Sequence, residues 1–315
     1  MAIISIVTTL PSPTHGAKPM RPTLRKSWPA AVLGVAGLAS AFALLPGGHP
    51  ASAPAAKLAA SSIPQYAHVV VVMEENHSFS DIIGDTGDAP YMNTLADDGA
   101  LMTSSYAVTH PSDPNYLALF AGSTFGLTSD ECPLKEGTTA NLGSELLAAG
   151  YTFKGYSEGL PKAGSTTCTS GLYASKHSPW VNFSNIPSAD QQPFSAFPSS
   201  ADYSSLPTVS WVIPNLDDDM HNGTIAQADT WLNTNLSAYA TWATTHDSLL
   251  IVTWDEDDYT ENNQIPTIFY GQDVAQGQYD DNIDHYNVLA TLEQMYGLSE
   301  VGDSSGETPI TDIWN

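Results

Sequence analysis

The sequence predicts an α/β fold, in the form of a three-layer α/β/α sandwich with a mostly parallel central sheet. Three short runs, at 68–73, 208–213 and 248–253, are predominantly apolar and rich in β-branched residues. Such runs are typical of strands that are buried on both faces. Segments with helical periodicity separate them, and this alternation favours a parallel sheet with helices on both faces. The chain of 315 residues is long enough for one large domain.

The N-terminal region has the pattern of a secretory signal. Positive charges at 21–26 precede an apolar run at 30–45, and Ala51, Ser52 and Ala53 provide small residues for cleavage. The apolar run has about the length of a signal core and contains two glycines, so we do not expect it to span a membrane. We therefore expect a secreted, extracellular bacterial protein without stable membrane insertion after cleavage.

These features predict the domain organisation. We expect residues 1–53 to be the signal region, with Met20 as an alternative start. Residues 54–66, rich in Pro, Ala and Ser, read as a linker. Residues 67–315 are expected to form a single domain.

The charge of the chain excludes several partners. The formal net charge is −25, and the signal region contains four of the nine Lys and Arg residues but none of the 34 acidic residues. After cleavage five lysines would face 34 acids, which is a net charge of −29, and no arginine would remain. We therefore expect no binding to nucleic acid or to anionic membrane surfaces.

The chain has two cysteines, Cys132 and Cys168. In an exported protein a disulfide between them is the default expectation. On the loop-entropy model it would contribute about 3–4 kcal/mol of stability.

Polar side chains of the types that bind cations follow three of the predicted strands. They are Glu75 and Asn76, then Asp219 and His221, then Asp255 and Glu256. The carboxyl ends of parallel strands meet at one edge of a sheet, where ligands bind. Crowded carboxylates repel one another unless a cation holds them. A solvated acidic loop would explain any one of these endings, but their recurrence favours a shared cation site.

A short apolar helix is predicted after Thr109. Ser112 or Asp113 would cap it, with Pro114 in its first turn. A hydroxyl at a helix N-terminus lies where free N–H groups and the helix dipole favour an anion, which suits a serine that attacks a phosphoryl group. A plain capping serine is the structural alternative.

The remaining elements follow in order. We expect helices at 141–149, 224–245 and 287–296, strands at 151–156 and 265–270, and a long surface loop at 182–205. Lys176 and His177 form either a phosphate-binding pair or a surface pair. His285, at the start of the last helix, is either an active-site or a structural residue.

Five motifs occur in an order that resembles the bacterial phosphoesterase family of acid phosphatases and phospholipases C, whose fold is similar to that of alkaline phosphatase. They are Glu75-Asn76-His77-Ser78-Phe79, Ser112-Asp113-Pro114-Asn115-Tyr116, Pro214-Asn215-Leu216 with Asp219 and His221, Thr253-Trp254-Asp255-Glu256, and Asp284-His285-Tyr286. The resemblance covers roughly residues 67–298. His77, Ser80 and Ser178 depart from the usual pattern, which bears on substrate preference more than on reaction class.

The resemblance implies a role for each matching residue. It implies metal ligands at Glu75, Asn76, Asp255 and Glu256, with Asp219 as a further candidate. It implies a nucleophile at Ser112, with His221 and His285 as catalytic histidines, and substrate binding by Asn115, Lys176 and His177. The cofactor would be a divalent metal ion: oxygen ligands favour Mg²⁺, Ca²⁺ or Mn²⁺, and added histidines permit Zn²⁺.

The sequence thus predicts a secreted, metal-dependent phosphoric ester hydrolase. We expect an acid phosphatase that cleaves small phosphomonoesters through a phosphoserine intermediate. A phospholipase C-type phosphodiesterase is the alternative enzyme, and a non-catalytic exported acidic protein that binds Ca²⁺ is the alternative outside enzymes. The oligomeric state is not indicated.

Overall fold

The computed structural model describes residues 63–315. The predicted signal region at 1–53, the alternative start at Met20 and linker residues 54–62 lie outside the described residues. The strands are β1 (His68–Glu74), β2 (Ala100–Met102), β3 (Ser105–Tyr106), β4 (Phe153–Ser157), β5 (Thr169–Ser170), β6 (Tyr173–Ala174), β7 (Gln191–Pro193), β8 (Val209–Ile213), β9 (Ser248–Trp254), β10 (Thr267–Gly271), β11 (Gly277–Tyr279) and β12 (Ile283–Asp284). The α-helices are α1 (Phe79–Ile82), α2 (Pro90–Asp98), α3 (Ser112–Ala121), α4 (Leu142–Ala148), α5 (Ile225–Ala243) and α6 (His285–Tyr296).

The predicted sheet is confirmed. Eight strands form it in the order β11-β2-β10-β9-β1-β8-β4-β7. β1 pairs in parallel with β8 and β9, and β4 pairs in parallel with β7 and β8. β10 runs antiparallel between β9 and β2. The sheet is therefore mostly parallel, with one reversed strand that its sequence pattern does not reveal.

Side chains of β1 show how the sheet makes three layers. Val69 and Val71 pack into one core with α3, α4 and α6, whereas Val70 and Val72 pack into a second core with α2 and α5. Successive side chains of a strand point to opposite faces, so a continuous apolar run is required when both faces are covered. The predicted three-layer arrangement is confirmed. No helix within residues 63–315 is long and apolar enough to cross a bilayer.

Helix α3 differs in detail from the prediction. The cap is Pro111, and Ser112 is the first helical residue rather than the cap. All ten residues of α3 are buried, which explains why its sequence is apolar after the first turn. The helix ends at Gly122 in the left-handed conformation, with φ of 65°. A Cβ there would lie 1.9 Å from the backbone oxygen of Val301, so the site requires glycine.

Two other predictions needed correction. The predicted surface loop at 182–205 contains three short 3₁₀ turns and strand β7, which forms the edge of the sheet beside β4. A strand of three residues that ends in Pro193 gives no readable alternation, so only the pairing with β4 defines it. Helix α6 begins at His285, earlier than predicted, because the Asp284 carboxylate accepts hydrogen bonds from the N–H groups of Tyr286 and Asn287.

Candidate active site

The three predicted strand ends converge. β8, β1 and β9 are neighbours and parallel, so their carboxyl ends open on the same edge of the sheet. The Glu75 N–H donates to the Asp219 backbone oxygen at 3.0 Å, and the Asn76 N–H donates to Asp255 Oδ1 at 2.9 Å. Asn76 adopts φ of 48°, a conformation that Asn tolerates better than most residues. Backbone and side chains together thus bind the three loops to one another.

Ser112 lies at the centre of this edge. Its Oγ is 3.1 Å from Glu75 Oε2 and 3.2 Å from Glu256 Oε1, and the residue is 2% exposed. The Asn76 amide donates to the same Glu256 oxygen at 2.7 Å. The hydroxyl is therefore held between two carboxylates at the N-terminus of α3.

The predicted metal ligands form a buried group of oxygen atoms. Glu75 and Asp255 are completely buried, Glu256 is nearly so, and Asp255 Oδ2 has no hydrogen-bond partner. Burial, and then the negative charges of Glu75 and Glu256, raise the pKa of Asp255 well above its usual value. A divalent cation would relieve this repulsion and would fill the open coordination of Asp255 Oδ2. The residues present therefore fit such an ion.

The His177 side chain is almost completely buried, although the residue lies in a segment that could have been a surface loop. Its Nε2 is 2.9 Å from Glu75 Oε1, its Nδ1 is 3.2 Å from Asp219 Oδ2, and its ring stacks on Tyr116. Burial opposes protonation, but Glu75 and Asp219 outweigh it and raise the pKa of His177 to about 9. The Tyr116 hydroxyl also donates to Glu75.

A second set of potential ligands overlaps the predicted one. Ligand atoms of Glu75, His177 and His221 lie within 4.8 Å of one another, so these three residues could hold a metal ion together. The sequence placed the two histidines in substrate binding and catalysis, not in metal binding. Because Zn²⁺ is commonly bound by imidazole and carboxylate groups, this triad would also suit Zn²⁺.

Lys176 and His221 lie at the outer side of the site. Lys176 Nζ is 2.7 Å from Asp130 Oδ2 and 3.5 Å from His221 Nε2, and His221 is exposed. The predicted disulfide between Cys132 and Cys168 is present, with an S–S distance of 2.05 Å. It ties the segment of Asp130 to the segment that leads into Lys176, and thereby holds the two charges together.

Two predicted site residues make mainly structural contacts. The His285 ring is buried, and its Nε2 lies 2.8 Å from the Asp255 backbone oxygen. Burial lowers the pKa of His285 to about 4. The Asn115 amide is fully buried and bonds to the backbone of residues 108–111. The assigned roles of these residues in proton transfer and phosphate binding stay predictions.

Four further residues reach the site without having been predicted, namely His110, Tyr116, Asp130 and Tyr259. The His110 Nδ1 bonds to Glu256, and its ring stacks on Tyr259. His110 and Tyr116 flank Ser112 in the sequence, and that proximity was the one signal that could have indicated them. Asp130 and Tyr259 are brought in by loops whose paths the sequence does not specify.

Known proteins resemble this chain in fold and in sequence. A protein of the alkaline phosphatase superfamily from Vibrio parahaemolyticus superposes with a TM-score of 0.55 at 14% identity, over 79% of this chain and 72% of that one. The phosphoesterase family model matches residues 85–299. A phosphatidylinositol-3-phosphatase of Mycobacterium tuberculosis is 60% identical over 83% of this chain and 87% of its own length. An acid phosphatase of Aspergillus fumigatus is 29% identical over 72% of this chain, which spans 54% of that protein.

Together these observations define a hydrolase with the alkaline-phosphatase-type fold, built around a sheet edge that carries a serine and several carboxylates. Within that class the chain belongs to the phosphoesterase family, and it is a phosphoric ester hydrolase.

Proposed function

We propose that this protein is a secreted, metal-dependent acid phosphatase that cleaves phosphomonoesters through a phosphoserine at Ser112. The observation that carries the proposal is the position of the Ser112 hydroxyl between Glu75 and Glu256 at the N-terminus of α3. A serine that served only as a helix cap would donate to or accept from the helix backbone, whereas Ser112 is the first helical residue and faces two carboxylates. The acid phosphatases among its relatives support the same assignment.

The chemistry follows from the groups around Ser112. Its Oγ attacks phosphorus, its proton passes to Glu75 or Glu256, and the bond to the alcohol oxygen breaks. The exposed His221 supplies a proton to the departing alcohol, and Lys176 and the N–H groups of α3 stabilise the phosphoryl oxygens. Water then cleaves the Ser112–phosphate bond and releases phosphate.

A divalent ion held by Glu75, Asn76, Asp255 and Glu256 would lower the pKa of the serine hydroxyl and offset negative charge on the substrate. His177 and His221 are the alternative ligands beside Glu75, and in that arrangement His221 would hold the ion and water would protonate the departing alcohol. Once metal dependence has been established, the next experiment is to identify the metal and to determine which of the two ligand sets binds it.

The test is hydrolysis of p-nitrophenyl phosphate from acid to neutral pH, before and after chelation. We expect metal-dependent turnover that falls by at least a thousandfold in Ser112→Ala. The control is Ser237→Ala on α5, which should retain full activity. Acid quenching during turnover should trap one phosphoryl group on Ser112, detected by peptide mass spectrometry. Near-normal turnover by Ser112→Ala with an intact fold would exclude the serine mechanism.

Two substrate arms refine the assignment. Phosphate release from vesicles that contain phosphatidylinositol 3-phosphate tests whether this chain shares the substrate for which the mycobacterial relative is named. Preference for p-nitrophenylphosphorylcholine over the monoester would instead indicate a phosphodiesterase of the phospholipase C type.

Secretion is tested by expressing the full chain and sequencing the N-terminus of any protein recovered outside the cells.

A further inference from the structure

An exposed aromatic residue lies beside the catalytic group. Among the described residues, the large hydrophobic side chains that are clearly exposed are Leu172 and Tyr259, and Tyr259 is 72% exposed. The Tyr259 ring stacks on His110 at a centroid distance of 3.9 Å and an angle of 17°. His110 in turn bonds to Glu256, whose other oxygen lies 3.2 Å from Ser112 Oγ. One ring and one carboxylate thus separate the exposed phenol from the nucleophile.

The phenol also lies within the electric field of the site. Desolvation, and then the negative charges of Glu256, Asp130, Asp257 and Asp255, raise the pKa of Tyr259. Asp130 is the partner of Lys176, so Tyr259 and Lys176 share the same acidic neighbour at the outer side of the site. The aromatic ring therefore lies at the outer, acidic side of the site.

The backbone holds Tyr259 in an unfavourable conformation. Its φ is 70°, a left-handed value that costs free energy for a bulky residue. The Asp257 carboxylate fixes the loop by accepting hydrogen bonds from the N–H groups of Tyr259, Glu261 and Asn263. The Asn263 amide then donates to the Thr109 backbone oxygen beside His110. An unfavourable backbone at an exposed tyrosine beside the nucleophile is a reason to look for a function of the ring.

We propose that Tyr259, stacked on His110, is a specificity-determining platform for phosphomonoesters whose alcohol carries a ring, either aromatic or cyclitol. This inference rests on the proposed phosphatase function. Tyrosine offers a large and rigid contact surface at low entropic cost, and His110 fixes its orientation from below. Contact between the outer face of Tyr259 and the ring of the leaving alcohol would hold the ester in line with Ser112. An acyclic alcohol would gain little from the same surface.

The experiment compares Tyr259→Phe with Tyr259→Asn. Phenylalanine keeps the ring, whereas asparagine removes it and tolerates the left-handed backbone, so the fold of both variants should persist. The substrates are phenyl phosphate, myo-inositol 1-phosphate and glycerol 2-phosphate, with inorganic phosphate as a competitive inhibitor that has no leaving group.

We expect Tyr259→Asn to lose roughly three- to tenfold in kcat/KM for the two ring-bearing esters. Its kcat/KM for glycerol 2-phosphate and its inhibition constant for phosphate should change less than about twofold, and Tyr259→Phe should behave like the wild type. An equal loss for all three esters, or no loss for any, would overturn the platform while leaving the phosphatase assignment intact. Failure of the wild-type protein to hydrolyse any of the esters with metal present would contradict both the platform and the phosphatase assignment.

Discussion

At the scale of single residues, Asn115 shows how a site motif can serve structure. Its side-chain oxygen accepts from the N–H groups of Val108 and Thr109, at 3.1 and 3.0 Å, and its nitrogen donates to the oxygens of Thr109 and Pro111. The amide has no exposed surface. Every hydrogen-bonding position of the side chain is therefore used to hold the segment that precedes Ser112, and binding a phosphate would require breaking these bonds.

We therefore expect Asn115→Ala to act mainly on stability. Four buried hydrogen bonds are lost, and backbone groups of residues 108–111 are left unpaired, so the free energy of unfolding should fall by about 2–4 kcal/mol. Thermal denaturation measures this loss, with exposed Asn233→Ala on α5 as the matched control. At temperatures where the variant remains folded, its inhibition constant for phosphate should change less than about threefold. An unchanged melting temperature together with a large loss of phosphate affinity would instead support the predicted role in substrate binding.

At the scale of elements, α6 carries a buried acid that links stability to pH. The Glu293 carboxylate accepts from the Val301 N–H at 2.9 Å and from the Ser304 hydroxyl at 2.7 Å. It thereby holds the turn Gly302–Gly306 against α6, and the Asp303 N–H of that turn donates to Gly122 at the end of α3. Burial outweighs these hydrogen bonds and raises the pKa of Glu293 to about 7.

The sign of this shift makes a prediction. A carboxyl whose pKa is raised on folding stabilises the protein below its ordinary pKa of 4.5, and this contribution is lost as the pH rises to about 7. Glu293→Gln should melt close to the wild type at pH 4, because both side chains are then neutral. At pH 7.5 the variant should be more stable by about 2 kcal/mol, after allowance for solvent screening. Melting temperatures of both proteins from pH 4 to 8 measure this, and a constant difference across the range would contradict it.

The elements also show how far the sequence could define the fold and the site. The runs in β1, β8 and β9 are apolar on both faces, so their burial, their parallel pairing and the convergence of Glu75, Asp219 and Asp255 could be predicted. The reversal of β10 could not, because a short buried strand reads the same in either direction. The edge strand β7 is defined by its partner, and the position of Tyr259 by side-chain bonds within its loop. These properties arise from tertiary contacts that no local pattern encodes.

At the scale of the whole molecule, the excess of acids is the dominant property. Residues 63–315 contain all 34 acidic residues but only four lysines. Burial raises the pKa of several of the carboxyls, among them Glu74, Asp229 and Glu293. Folding therefore takes up protons, and stability should increase from neutral toward mildly acid pH, where repulsion also falls. This behaviour would suit the acid phosphatase proposed above.

The same excess predicts two separable responses to ions. At neutral pH and low ionic strength, NaCl should raise the melting temperature by several degrees, because it screens repulsion over the whole surface, and the rise should shrink at pH 5. A divalent cation at matched ionic strength should add a further increment, because it binds the folded site and not the unfolded chain. Glu256→Gln should abolish only this increment, since it removes a ligand charge and leaves the surface unchanged. An equal response of the wild type and the variant to the divalent cation would show that Glu256 is not a ligand, and the ion would then act by screening or bind at Glu75, His177 and His221.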